Sequence, residues 1–161
     1  MVDFLRALFR TISKGWDRPA PRLFFTAGTG KTLFMNLLLD CAFVGVGGML
    51  GSVARYIISL LPLRHQSGFP LLTLAVNLGG AFLIGLIVAL AGKSTSLDPR
   101  TLLFLKVGVC GGFTTFSTFA LETQSLLQGG KLFVGLSYAA LSVALCILAI
   151  SLAGMLADKI A

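Results

Sequence analysis

The chain has 161 residues, of which 56% are hydrophobic and 12% are charged, and its mean hydropathy is +0.93. A soluble domain of this length could not bury so much apolar surface in one core, so the composition indicates an integral membrane protein. The formal net charge is +7, but six of the thirteen Lys and Arg residues lie in the first 31 positions, which favours lipid headgroups over nucleic acid as the partner.

Residues 1–34 are predicted to be a basic N-terminal extension. Apolar and basic residues alternate at helical spacing over residues 2–14, which indicates an amphipathic helix lying on the membrane surface. Residues 28–32 look like the end of a phosphate-binding loop, but Phe25 stands where that motif needs glycine, so we expect no nucleotide binding. Met35 could itself be a natural start, and the sequence leaves open whether the extension is made.

Four apolar segments follow, at about 35–61, 69–92, 101–126 and 131–157. Each is long enough to cross about 30 Å of hydrocarbon as a helix. Only short polar links separate them, so residues 35–161 are predicted to be one all-α domain with four transmembrane helices.

Glycine, arginine and asparagine are the informative residues of the first two helices. Gly47 and Gly51 form a GxxxG spacing that permits close helix contact, and Arg55 with Tyr56 is predicted to anchor the end of the span at the membrane interface. In the second helix Thr73 and Asn77 are four residues apart and share a face. A carboxamide in hydrocarbon either joins helices or faces a polar pathway, and both interpretations stay open here.

The third helix is predicted to be broken at its centre, between Gly111 and Phe119. Adjacent glycines at 111 and 112 favour unwinding, and four hydroxyl side chains offer substitute hydrogen bonds, namely Thr114, Thr115, Ser117 and Thr118. Unwound backbone at membrane depth occurs only where it is buried in protein or lines a cavity, which indicates an ion pathway.

Two phenylalanines and a glutamate follow the break. Phe116 and Phe119 are three apart, so they project from one side of the helix, either as core residues or as ring edges that attract an anion. Glu122 is predicted to anchor the span end or to accept hydrogen bonds there. In the fourth helix Tyr138, Ser142 and Cys146 form a weakly polar stripe that could face Asn77.

No metal or enzyme motif is present in the sequence. The cysteines at 41, 110 and 146 lack metal-binding spacing, and the lone His65 is typical of a solvated loop residue. We therefore expect neither a zinc or haem group nor an enzyme.

The charges flanking the four spans are nearly balanced. Within residues 35–161, four Lys or Arg residues lie on one side and three on the other, whereas the extension changes this to ten against three. A balanced chain can insert in both orientations, so that oppositely oriented copies can pair. The extension works against that arrangement, which favours a functional unit beginning near Met35.

These features together resemble the Fluc/CrcB family of bacterial fluoride channels, over roughly the last four-fifths of the chain. The matching motifs are Gly47-Gly48-x-x-Gly51-Ser52-x-x-Arg55-Tyr56, Thr73-x-x-x-Asn77-x-x-Gly80, and Gly111-Gly112-Phe113-Thr114-Thr115-Phe116-Ser117-Thr118-Phe119. The resemblance implies an antiparallel, dual-topology homodimer in the bacterial inner membrane. It also implies two fluoride pores and one structural sodium ion held by backbone carbonyls of Gly111 and Thr114.

The resemblance further implies roles for individual side chains. Phe116 and Phe119 would line the fluoride path with Asn77, and the hydroxyl-bearing residues would supply polar sites along it, namely Thr73, Tyr138, Ser142, Thr115, Ser117 and Thr118. We expect a serine where this chain has Cys146. Arg55 and Glu122 also match family positions.

The implied function is passive efflux of fluoride, which lowers its toxic concentration in the cytoplasm. An alternative is a small four-helix, dual-topology exporter coupled to protons, which needs a titratable acid at mid-membrane. Asp40 and Glu122 lie toward span ends instead. A purely packing or assembly protein is a third hypothesis, which leaves the broken helix unexplained.

Overall fold

The computed structural model describes residues 30–62, 68–93 and 97–160. The amphipathic helix predicted at residues 2–14 lies outside the described residues, as do residues 28 and 29 of the phosphate-loop-like segment and His65.

The described chain is helical, with one interruption inside a span. Helix α1 is Gly30–Ser59, and α2 is Leu71–Lys93. Helix α3 occupies residues 99–113 and has three consecutive parts: an α-helical turn Pro99–Leu102, a π-helical segment Leu103–Cys110 and a second turn Gly111–Phe113. Helix α4 is Phe116–Gln128, and α5 is Leu132–Ile160.

Four helical stretches are long and apolar enough to cross a membrane, as predicted: Thr32–Ser59, Leu71–Lys93, Pro99–Gln128 and Leu132–Ile160. The third of these contains α3, the interruption and α4. The first begins before Met35, so α1 continues without a break across the start predicted for the functional unit. That start stays a prediction.

Local sequence signals explain where α3 and α5 begin. Asp98 caps α3, because its Oδ2 accepts hydrogen bonds from the amides of Arg100 and Thr101 at 3.0 and 3.1 Å, and Pro99 occupies the first helical position. Gly130, with φ of 74°, allows the reversal that separates α4 from α5.

Glycines bring α1 and α3 into close contact. A Cβ atom at Gly51 would meet the carbonyl oxygen of Val109, and one at Gly108 would lie 2.9 Å from Cα of Gly47. The close packing predicted from the GxxxG spacing is therefore confirmed. Gly112 also packs this way, since its Cβ would meet the carbonyl oxygen of Gly48.

The interruption of the third span lies two residues later than the glycines. Gly111 and Gly112 are helical, and the extended residues are Thr114 and Thr115. The expectation that the glycine pair itself unwinds was wrong. At Gly112 glycine is needed for contact with α1, whereas the threonines carry the break.

Helices α2 and α5 form the second close pair. A Cβ at Gly85 would lie 3.0 Å from Cα of Ile150, and the small residues Ala149, Ala153 and Ala157 of α5 are buried. Ion pairs join helix ends on one side of the molecule, between Arg100 and Asp40 at 3.0 Å and between Lys93 and Asp158 at 3.1 Å.

Large apolar side chains lie mainly on the outside of the bundle. Examples are Phe34, Ile57 and Phe133, which are 61%, 59% and 84% exposed. Such a surface suits hydrocarbon rather than water, so the structure supports a multi-pass membrane protein.

Candidate functional site around the broken third span

Two extended threonines separate α3 from α4. Thr114 has φ and ψ of −79° and 157°, and Thr115 has −148° and 116°. These angles stop the helical hydrogen-bond ladder, so the backbone groups near the break need other partners.

Asn77 of α2 supplies two of these partners. Its Oδ1 accepts a hydrogen bond from the Thr115 amide at 2.8 Å, and its Nδ2 donates to the Thr115 carbonyl at 3.0 Å. One side chain thus satisfies both polar groups of one residue in the break. The sequence left open whether Asn77 joins helices or faces a pathway, and the two hydrogen bonds show that it joins α2 to the break.

Thr115 also caps α4 through its side chain. Its Oγ1 accepts from the amide of Thr118 at 3.2 Å and lies 3.0 Å from the Thr118 hydroxyl and 3.4 Å from that of Ser117. The amide of Thr118 is therefore turned away from the carbonyl of Thr114, its acceptor in a continuous helix.

Two carbonyl oxygens at the break lose the amide donors that a continuous α-helix would give them. The amide of Thr115 binds Asn77 rather than Gly111, and that of Thr118 binds Thr115 Oγ1 rather than Thr114. The two amides that would bind the carbonyls of Gly111 and Thr114 in a continuous α-helix are thus paired elsewhere. Free carbonyls are hard oxygen ligands, so this donor set fits the sodium ion that the family resemblance implies.

The carbonyl of Gly112, between these two, is held by α1. Arg55 Nε donates to it at 3.2 Å, and Ser52 Oγ lies 3.4 Å from it. Arg55 therefore contacts the break, whereas the sequence predicted that it anchors the end of α1 at the interface. A guanidinium group in a span needs a hydrogen-bond acceptor, and the carbonyl of Gly112 is one.

A groove of about 330 Å³ opens on one side of the break. It contains seven of the predicted site residues, namely Asn77, Gly111, Thr114, Thr115, Phe116, Phe119 and Ser142. Cys146 and Cys110 also line it. We call this the aromatic groove.

Aromatic rings continue from the groove into the bundle. The ring centroids of Phe116 and Phe119 are 5.4 Å apart, and Phe119 lies 5.3 Å from Tyr138. Phe116 is 77% exposed, whereas Tyr138 is fully buried. The two phenylalanines do project from one side of α4, as their spacing predicted.

Ser142 is the polar residue of the groove that lacks a partner. It is 5% exposed, and among the described residues its buried Oγ has no hydrogen-bond partner. A buried hydroxyl without a partner costs free energy, which indicates a position that a ligand or water completes.

A second groove, of about 320 Å³, opens on the other side of Thr115. We call it the hydroxyl groove, because its polar lining consists mainly of hydroxyl side chains together with Arg55: Ser52, Tyr56, Ser59, Thr73, Thr115 and Thr118. Thr73 and Asn77 share a face of α2 as predicted, yet they line different grooves. Thr115 lines both.

Glu122 joins three helices next to the hydroxyl groove. Its Oε1 accepts a hydrogen bond from Thr73 Oγ1 at 2.7 Å, and its Oε2 accepts one from the hydroxyl of Tyr138 at 2.8 Å. Glu122 thus accepts hydrogen bonds, one of the two roles proposed for it. Tyr138 faces Glu122 rather than Asn77.

The sequence analysis missed this network and the pairing of Asn77 with Thr115. One signal was available: a carboxyl group in an apolar span needs donors, and the hydroxyls of α2 and α5 were the candidates. The π-helical segment had no signal that we could identify.

Comparison with known proteins adds an independent observation. The model of a family described as CrcB-like protein, Camphor Resistance (CrcB), matches residues 42–155. A protein of Ruminiclostridium cellulolyticum named fluoride-specific ion channel FluC is 44% identical over 128 residues, which cover 79% of this chain and 98% of that protein. A protein of Chlorobaculum tepidum with the same name is 50% identical over 109 residues, 68% of this chain and 83% of its own length.

Proposed function

The chain belongs to the CrcB-like family, and we propose that it is a fluoride channel through which fluoride leaves the bacterial cytoplasm passively. The observation that carries the proposal is the similarity to fluoride-specific channels over nearly the whole length of one relative. The arrangement of the broken span supports it independently of the names.

The aromatic groove is the proposed fluoride path. Asn77 has two N–H donors on Nδ2, of which the carbonyl of Thr115 takes one, so a second is available to an anion. The hydroxyl of Ser142, on α5, is a further donor that lines the groove. Between these donors, the positive ring edges of Phe116 and Phe119 attract an anion weakly.

Selectivity follows from the strength and spacing of these contacts. Fluoride is small and holds its water tightly, so a path must replace that water with several donors placed closely together. Weak, repeated sites allow the ion both to enter and to leave. A larger anion such as chloride fits such spacing less well.

The hydrogen-bonding of Glu122 favours a channel over the proton-coupled exporter. Both carboxyl oxygens of Glu122 accept hydrogen bonds from neighbouring helices, and Asp40 is paired with Arg100. Both acids therefore have a structural partner, and the channel mechanism needs no proton exchange.

A structural sodium ion is proposed at the carbonyls of Gly111 and Thr114. When bound, a cation there would offset the repulsion between carbonyl dipoles that face each other. Each chain contributes two such oxygens, so two chains would surround the ion with four.

We propose that the working unit is an antiparallel, dual-topology homodimer. Gly111 and Phe116 both lie on the outer surface of the single chain, although they belong to the proposed ion site and ion path. A second copy would cover them. The near balance of four against three flanking charges in residues 35–161 supports opposite insertion of the two copies.

Anion flux from reconstituted liposomes tests the proposal. Purified full-length protein is inserted into vesicles loaded with potassium fluoride, and external fluoride is followed with an electrode after a potassium ionophore is added. We expect rapid fluoride efflux and negligible chloride efflux from matched chloride-loaded vesicles. Equal rates for the two anions would exclude a fluoride-selective channel.

A further inference from the structure

A thiol lies on the wall of the aromatic groove, one helical turn from a hydroxyl group that lacks a partner. Cys146 and Ser142 are four residues apart on α5, so their side chains share a face of the helix. Both line the groove. Cys146 is partly exposed, whereas Cys110, the other thiol of the groove, is 2% exposed.

The missing partner of Ser142 is an observation independent of the thiol. A serine within a helix can donate to the carbonyl four residues earlier, as Ser151 does to Ile147 at 3.0 Å. Within the part of the chain that the structure describes, Ser142 Oγ has no such bond. Its buried oxygen therefore keeps its lone pairs without a donor, in a residue that lines the groove one helical turn from Cys146.

The thiol sulfur on this wall suits a soft metal cation. Thiolate ligands select soft, singly charged ions of the silver and copper(I) type. Among the described residues no group of three or more His, Cys, Asp and Glu side chains could hold a metal. A site here is therefore limited to an ion that accepts few protein ligands.

We propose that Cys146 is a binding site for a soft, thiol-seeking monovalent cation, with Ser142 Oγ as a weaker second ligand. The thiol of Cys146 loses its proton to water as the sulfur–metal bond forms, so that one thiol and one cation give a neutral metal thiolate and a proton. A neutral product avoids the cost of a bare charge in the span.

Occupancy of this site would obstruct the groove. The bound ion and its ligands fill part of a space of about 330 Å³ between α5 and the break, beside Asn77 and the phenylalanines. This second part of the inference rests on the proposed function, because only a groove that carries fluoride can be blocked by silver.

Silver binding to the purified full chain tests the site without reference to transport. Cys41 is an exposed thiol on α1, so all proteins carry Cys41→Ser. In chloride-free buffer with silver nitrate, equilibrium dialysis should give one silver ion per chain for this protein and none after the further change Cys146→Ser. The matched variant Cys110→Ser should keep the silver, and Ser142→Ala should weaken binding by about tenfold.

A labelling measurement covers the case in which a variant fails to fold. In the Cys41→Ser protein with no other change, silver should protect Cys146 from alkylation by a small maleimide, as read by mass spectrometry. Unchanged silver binding in the Cys146→Ser protein, or unchanged alkylation of Cys146 with silver present, would overturn the site.

Transport is then measured against each protein's own rate without silver. Silver should stop fluoride efflux from liposomes that contain the Cys41→Ser protein and leave the rate of the Cys146→Ser protein at its own baseline. Silver that binds at Cys146 but leaves efflux unchanged would overturn the block. Silver binding without any fluoride efflux in its absence would instead contradict the proposed channel.

Discussion

Asn77 and Thr115 form a two-point contact in which one carboxamide satisfies both backbone polar groups of one residue, with distances of 2.8 and 3.0 Å. The contact joins α2 to the centre of the broken span. The two hydrogen bonds resemble those between paired β-strands, except that a side-chain carboxamide takes the place of one strand. They stabilise Thr115 in its extended conformation, at the point where the span stops being helical.

Replacing Asn77 by Ala should remove both hydrogen bonds and leave the Thr115 backbone without partners, which costs about 1–3 kcal/mol of stability. Asn77→Asp keeps the acceptor but brings a carboxylate that repels anions, so fluoride flux should fall by at least about tenfold. Thermal unfolding in detergent and liposome flux check the two results. Ser151→Ala is the control, because it removes a hydrogen bond of α5 that joins no two helices. Wild-type flux in Asn77→Asp would contradict a role in the path.

Phe116→Ile and Phe119→Ile should each reduce fluoride flux by about tenfold or more, because isoleucine keeps bulk but lacks a polarised ring edge. The oligomeric state in detergent should stay unchanged. Phe133→Ile is the matched control, since Phe133 is 84% exposed at the start of α5 and lines neither groove. Normal flux in both single variants would leave these rings a packing role only.

Exhaustive replacement of sodium by a large organic cation should abolish fluoride flux and lower the unfolding temperature, because the carbonyls of Gly111 and Thr114 would lose the cation between them. Titrating sodium back should restore both properties with one saturation curve. If flux and stability are unaffected by sodium removal, the proposed ion site has no structural function.

Glu122→Gln and Tyr138→Phe should show coupled effects on stability, because the two side chains share a hydrogen bond of 2.8 Å. A double-mutant cycle of unfolding free energies should give a coupling of roughly 1 kcal/mol. The same cycle between Glu122→Gln and Ser151→Ala should give none. Additive effects at Glu122 and Tyr138 would mean that their hydrogen bond contributes nothing to stability.

Gly51→Ala should destabilise the chain by about 1–3 kcal/mol, because the new methyl group would meet the backbone of α3 at Val109 and Phe113. The control is Gly92→Ala, since a Cβ at Gly92 meets nothing within 4 Å. Comparable unfolding temperatures for the two variants would argue against tight contact between α1 and α3.

The sequence was sufficient for the features that depend on local pattern. Apolar length predicted four spans, and the spacing of Gly47 and Gly51 predicted close helix contact. The resemblance to the Fluc/CrcB family, drawn from the motifs around Arg55, Asn77 and Phe116, is confirmed by the family match over residues 42–155. These properties are encoded within short stretches of chain.

Features that depend on which helices meet were not predictable in the same way. The sequence could say that Asn77 and Arg55 need partners, but it could not say that these are the backbone groups of Thr115 and Gly112. Likewise, two adjacent glycines such as those at 111 and 112 are typical of an unwound segment. The role of the pair in contacting α1 is apparent only once the two helices lie side by side.

The π-helical segment Leu103–Cys110 has a consequence for which changes in length this chain can accept. A helix takes this form when it accommodates one residue more than its α-helical bonding requires, while the flanking turns keep their alignment. Loss of a single codon within the segment would therefore return it to ordinary α-helical bonding and still deliver Gly111 and Gly112 to the same neighbours. A deletion of one residue, which would rotate the rest of an α-helical span by about 100°, should therefore be tolerated within this segment.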